Sequence, residues 1–128
     1  MNSKTQVDIK QPTFANAILE YMDYCKADYD VKNEAGIKAH GGEYSIRAFP
    51  GRKFIRLVHQ ITYNEKYGQI TAHSFICKTN FVTSDGKFFE QGDILMAASF
   101  NEPALNKARG NVLRRAYGKS SWTGTGYL

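Results

Sequence analysis

Residues 53–79 read Lys53-Phe54-Ile55-Arg56-Leu57-Val58-His59-Gln60-Ile61-Thr62-Tyr63, then Asn64-Glu65-Lys66-Tyr67-Gly68, then Gln69-Ile70-Thr71-Ala72-His73-Ser74-Phe75-Ile76-Cys77-Lys78-Thr79. Two β-rich runs flank a short polar segment that ends in glycine, the pattern of an antiparallel hairpin. With Asn64 to Gly68 as the loop, Tyr63 faces Gln69, and His59, Leu57 and Ile55 face His73, Phe75 and Cys77. Side chains two apart on a strand share a face, so His59, His73 and Cys77 are predicted neighbours. Two imidazoles and a thiolate suit zinc. Their face also carries Ile55, Leu57, Ile61 and Phe75. That company marks a core, so satisfied structural histidines and no metal are the expectation. A register slip of one residue would dissolve the cluster.

Outward from the hairpin, the punctuation is clear. Pro50-Gly51 turns the chain from a short strand, Tyr44 to Phe49, into the first long one. Asp85-Gly86 between Phe81-Val82 and Lys87-Phe88-Phe89 signals a second hairpin, and Gln91-Gly92-Asp93 leads into a last strand, Ile94 to Ala98. Upstream, Thr13 is a candidate N-cap for a helix whose apolar face is Phe14, Ala17, Ile18, Tyr21, Met22, Cys25 and Tyr29. Residues 28–43 are polar and acidic and read as a loop. Downstream, Asn101-Glu102-Pro103 starts a brief helix carrying Lys107 and Arg109, which Gly110 breaks or ends.

The expectation is a single α+β domain. It has an N-terminal arm (1–12), an amphipathic helix (13–27), an antiparallel sheet of four or five strands (44–98), a short helix or helices (103–117) and a docked tail (118–128). The chain of 128 residues is long enough to bury a core without staples. Cys25 and Cys77 lack metal-ligand spacing and read as buried thiols of an intracellular protein. No apolar run has the length of a membrane span, and the first residues lack the apolar core of a secretion signal.

Charge is segregated. Of the net +5, residues 1–43 contribute −2 and residues 44–128 contribute +7. After Pro103 come Lys107, Arg109, Arg114, Arg115 and Lys119 and no acidic residue. Such a footprint suits a polyanion. Arg56 and Lys78 fall on the sheet face opposite the expected core, and Arg47, Arg52 and Lys53 flank the Pro-Gly turn. Aromatic residues interleave with them: Tyr44, Phe49, Phe54, Tyr67, Phe81, Phe88 and, in the tail, Trp122. A sheet presenting rings and cations stacks bases and neutralises phosphates, as single-strand binders do. Strands are enriched in aromatics in any case, so these rings serve equally well as core. The two Tyr and one Trp after Arg115 predict a tail that docks on its own sheet.

Catalytic patterns are missing: there is no nucleophile elbow and no His-Glu-x-x-His helix, and Asp85 and Asp93 suit turns. The expectation is therefore a non-enzymatic protein without a cofactor.

Lys53-Phe54-Ile55-Arg56-Leu57-Val58, the strand around His73-Ser74-Phe75-Ile76, Gly92-Asp93-Ile94-Leu95-Met96-Ala97-Ala98-Ser99-Phe100, Pro103-Ala104 and Ala108-Arg109-Gly110-Asn111-Val112 together resemble a family of small uncharacterised bacteriophage proteins. The likeness covers about residues 53–112 and departs at the longer hairpin and at Phe100, where the family pattern has Trp. It implies phage origin and a setting in the host cytoplasm or the virion, and it carries over no catalytic residue. The leading expectation is a nucleic-acid binder, for single strands before duplex. Arg47, Arg52, Lys53, Arg56, Lys78, Lys107, Arg109, Arg114 and Arg115 would meet phosphate, and Phe54 or Trp122 would stack. The alternatives are docking on a host or virion protein, and a pocket for a phosphorylated small molecule with Arg109 and Asn111 at its rim. Homo-oligomerisation is left open.

Overall fold

The computed structural model describes residues 13–35, 42–63 and 66–126, with side chains in the helix up to Lys32. The elements in order are α1 (Phe14–Ala35), β1 (Gly42–Pro50), β2 (Phe54–Tyr63), β3 (Lys66–Tyr67), β4 (Thr71–Cys77), β5 (Phe81–Val82), β6 (Phe88–Phe89), β7 (Ile94–Leu95) and a single 3₁₀ turn at Val112–Arg114. An antiparallel sheet in the order β1-β2-β4-β7, with β3 paired to the end of β2, carries α1 on one face. The small β5–β6 ribbon packs on the other. This is the expected α+β arrangement. The N-terminal arm, residues 36–41 and the tip Asn64-Glu65 lie outside the described residues.

Thr13 caps the helix as expected, its hydroxyl accepting from Asn16 N at 3.2 Å. Ala17, Ile18, Tyr21, Cys25 and Tyr29 form the buried stripe. The helix runs eight residues past its expected end, to Ala35. Residues 28–35 contain no breaker, Tyr29 continues the stripe, and Lys26–Asp30 and Lys32–Asp28 pair one turn apart. The polar composition here belongs to a solvated helix face.

The hairpin register differs from the expected one. Tyr63 pairs with Lys66 instead of Gln69, so the reversal is tighter than a five-residue loop. The surplus residues are absorbed along the returning strand. Val58 pairs with Ala72 and Leu57 with Ser74, leaving His73 as the extra residue of a β-bulge. Below the bulge, Ile55 faces Ile76 and Phe54 faces Cys77. Ile55, Leu57 and Ile76 therefore pack under α1, while Phe75 and Cys77 belong to the opposite cluster with Leu95 and Phe89. The slip sends Cys77 away from the histidines. The bulge keeps His73 beside His59, at 5.8 Å between ring centres, because it lets His73 and Ser74 point to one face.

The Asp85-Gly86 hairpin forms as read, with Phe81 opposite Phe89 and Gly86 at φ +90, a conformation glycine adopts without steric cost. The expected helix after Pro103 is absent. Ala104 N and Arg109 N donate to Met96 O and Ile94 O, and Gly110 O and Gly92 O accept from Ile94 N and Val112 N. The segment thus satisfies the outer edge of β7 as an irregular extra strand. Only Val112–Arg114 is helical, capped by Asn111.

The tail docks, as predicted. Tyr21 Oη donates to Ser120 Oγ at 2.9 Å and Tyr44 Oη to Trp122 O at 2.8 Å. Trp122 N donates to Asp28 Oδ2 at 3.0 Å, fastening the tail to α1. His73 Nε2 lies 2.8 Å from Ser121 O, and a carbonyl only accepts, so Nε2 carries the proton and Nδ1 accepts from the Ser74 hydroxyl.

Candidate nucleic-acid interface

The face of the sheet away from α1 is covered by β5–β6 at one end only. Beyond that cover, alternation along β1 and β2 places Arg47, Phe49, Arg56 and Val58 on this face, with Phe49 opposite Arg56 and Arg47 opposite Val58; Arg47 and Phe49 are exposed, Arg56 is half-buried and Val58 is buried. The Gly51-Arg52-Lys53 turn closes the end of this face, its Gly51 N donating to Phe54 O at 2.8 Å. A cleft of about 260 Å³ opens there, between Phe49, Arg52, Lys53, Arg56 and Asn101.

Of the cations on this face, Arg47, Lys53, Arg56 and Lys78 are held in place, while Arg52 is exposed at the turn. Arg56 lies 4.6 Å above the centre of the Phe100 ring, and its Nη1 donates to Asn101 Oδ1 at 3.0 Å. Its Nε is buried without a partner. Lys53 Nζ stands 4.7 Å above Phe81, Lys78 Nζ donates to Gly51 O at 2.8 Å, and the Arg47 guanidinium lies 5.8 Å from Phe49. These anchors are rings and neutral oxygens, so they orient the charges without cancelling them. Among the described residues, none of Arg47, Arg52, Lys53, Arg56 or Lys78 is in an ion pair with a carboxylate. Glu43 and Glu102 are the acidic side chains on the neighbouring strand and turn. Beside the cleft, Phe49 and Phe100 are exposed, each 43% accessible.

The other expected contacts are engaged elsewhere. Arg114 binds Glu90 at 2.7 Å, and Arg115 embraces Glu20 with bonds of 2.7 and 3.1 Å. The Arg115 guanidinium draws the Glu20 carboxyl below its ordinary pKa, and Glu20 raises that of Arg115. Arg109 is buried and donates to Gly126 O at 3.2 Å, so it braces the tail. Asn111 is buried in its own hydrogen-bond knot, which removes the expected rim of a phosphate pocket. Trp122 packs edge-on against Tyr29 and Tyr44. Phe54 packs against Phe75 and Phe81 within the core under the ribbon. Lys107 is exposed on the segment that flanks β7, at the other edge of the sheet from β1. Sequence reasoning counted Phe49 among the aromatics interleaved with the cations but gave the stacking role to Phe54 or Trp122, and it did not see Phe100 as the seat of Arg56. Alternation in β1 placed Phe49 beside Arg47, so that signal was present; the contact between Phe100 and Arg56 joins distant residues and left none.

His59 and His73 sit on the α1 side. Burial lowers the pKa of both, that of His73 to about 4. His59 Nδ1 is buried without a partner and its ring stacks on Tyr44. Among the described residues, no group of three His, Cys, Asp or Glu side chains is placed to hold a metal ion. No helix among them is long and apolar enough to cross a membrane.

No protein-family model, curated protein or solved structure matches the chain.

Proposed function

We propose that this protein binds single-stranded nucleic acid, without catalysis, on the sheet face away from α1. The observation that carries the reading is the cleft rimmed by Arg52, Lys53 and Arg56, with Lys78 at the adjoining turn and Phe49 exposed beside it. Cations held by rings and carbonyls meet phosphates at little further cost in side-chain order, and an exposed ring offers a base a sequence-tolerant stacking surface. An exposed single ring and a narrow cleft suit an unpaired strand better than the broad backbone of a duplex. The phage setting implied by the sequence resemblance supplies abundant single strands during replication and expression, and the binder acts there as an accessory protein.

Fluorescence anisotropy with labelled single-stranded DNA, RNA and duplex DNA across a salt series tests this. Log affinity for single strands should fall with log salt by about 0.7 per phosphate contacted. Arg52→Ala/Lys53→Ala should weaken binding and flatten that slope, and Phe49→Ala should weaken binding with the slope unchanged. Arg114→Ala/Arg115→Ala, which touches only the internally paired arginines, should bind as wild type. No binding at low salt, or loss confined to the Arg114/Arg115 variant, refutes the proposal.

A further inference from the structure

The two edges of the sheet are treated differently. At β7 the chain's own residues 104–112 take up the outer hydrogen bonds. At the other edge lies β1, nine residues long and paired only to β2 among the described residues. An open edge of that length is a template for another strand. Beside it runs an apolar groove of about 630 Å³ between the first turns of α1 and β1. Its lining includes the consecutive residues Ile46 to Pro50, whose side chains alternate between faces, so the groove follows the strand's edge. Leu19 and Phe49 on its rim are 55% and 43% exposed.

We infer that the occupant of this edge is a second copy of the same chain, joined β1 to β1 in antiparallel fashion about a two-fold axis through Ser45. Identical edges expose the backbone groups of the same alternate residues, so a symmetric pairing must set odd positions against odd and even against even. That rule keeps both copies of α1 on one side of the joined sheet. Among the registers it leaves, placing Arg47 on the axis opposes two arginines, which repel. Placing Ile46 there sets Phe49 against Glu43. Placing Ser45 there sets Glu43 of each copy against Arg47 of the other, twice over, on the solvent face where both side chains are exposed. On the α1 side the same register sets Tyr44 against Ile46, and the two helices close over the groove and its Leu19 rim. Pro50, which has no N–H to give, falls beyond the paired stretch. The strand is thus charged to accept its own copy in one register.

Sedimentation velocity and light scattering of the full chain, without nucleic acid, test the inference independently of the binding proposal. Wild type should be dimeric at micromolar concentrations. Glu43→Arg and Arg47→Glu should each weaken the dimer about tenfold or more, since each turns two attractions into repulsions, and the double variant should recover to within about threefold of wild type. Ser45→Cys should link to its own copy on mild oxidation, because residues on the axis lie about 4.5–5.5 Å apart at Cα, within disulfide reach. Glu43→Cys should not link. Cys25 and Cys77 are fully buried and do not interfere. A monomer at all accessible concentrations overturns the inference. So does a dimer indifferent to both charge reversals and not linked through Ser45→Cys.

Discussion

Asn111→Asp replaces one amide by a carboxylate of the same shape, and the structure makes it a severe change. Asn111 is 2% exposed and uses its whole side chain. Oδ1 accepts from Leu113 N at 2.9 Å and Arg114 N at 3.2 Å, opening the 3₁₀ turn. Nδ2 donates to Gln91 O at 3.1 Å and Asp93 Oδ1 at 2.9 Å. Asp93 in turn accepts from Glu90 N at 2.8 Å. The knot ties the entrance of β7 to the segment that covers β7's edge. In the variant the two accepting bonds survive and the two donating ones are lost. Each abandoned buried acceptor costs about 1–3 kcal/mol. A carboxylate facing Asp93 adds about 4 kcal/mol at a protein-like dielectric, unless a proton bridges the pair. Proton uptake is the cheaper route, so the expected loss at pH 7 is about 3–6 kcal/mol, much of a typical domain's stability.

The sign with pH follows. The introduced carboxyl is held above its unfolded pKa, so its penalty is least below pH ~4 and grows as pH rises through the folded value. Urea unfolding followed by far-ultraviolet circular dichroism from pH 4 to 8 reads this out. The gap in unfolding free energy between wild type and variant should widen with pH. A loss under 1 kcal/mol at pH 7, or a gap independent of pH, would refute the assignment of Nδ2 as a double donor.

Three further outcomes are expected. His73 is buried neutral with its pKa lowered to about 4, so the unfolded chain takes up its proton first. Stability should therefore fall by about 3 kcal/mol as pH drops from 6.5 to 4; the His73 ring signal in proton NMR should stay neutral through pH 5, and titration near 6.5 in the folded protein would contradict its burial. Gly124 sits at φ +137, and an added Cβ would stand 2.9 Å from His73 O. Gly124→Ala should cost about 1–3 kcal/mol and shift Trp122 emission to the red as the tail lifts, and an unchanged spectrum would show that the tail docks by other contacts. Burial raises both thiols to a pKa of about 12, so Cys25 and Cys77 should react with Ellman's reagent only at the rate of unfolding, and immediate labelling of either would contradict their placement.

Local signals were legible wherever they acted over a few residues. Thr13 as N-cap, the stripe from Ala17 to Tyr29, the Asp85-Gly86 turn and the docking of an aromatic-rich tail follow from neighbours in the chain; a reversal was also legible beside Pro50, although it falls at Gly51 to Lys53, with Pro50 still paired to Ile55 at the end of β1. The α+β class follows from them. The site was legible in half: alternation placed Arg56 on the face away from α1 and the turn placed Arg52 and Lys53 beside it. Which arginines remain unpaired was not legible, since Arg115 meets Glu20 and Arg114 meets Glu90 only after folding.

What the sequence determined by itself was thus the kinds of element, their order and the segregation of charge, because capping, periodicity and turn chemistry are short-range. The tertiary structure decided the register of β2 with β4, the side on which Cys77 lies and the state of residues 104–110. A strand's alternation is the same in either register, and only packing on both faces selects between them. The propensity of Ala104 to Arg109 for helix is worth tenths of a kcal/mol per residue, while leaving the backbone of β7 unpaired costs about 1–3 kcal/mol per group. The sheet's edge therefore outweighed the local preference.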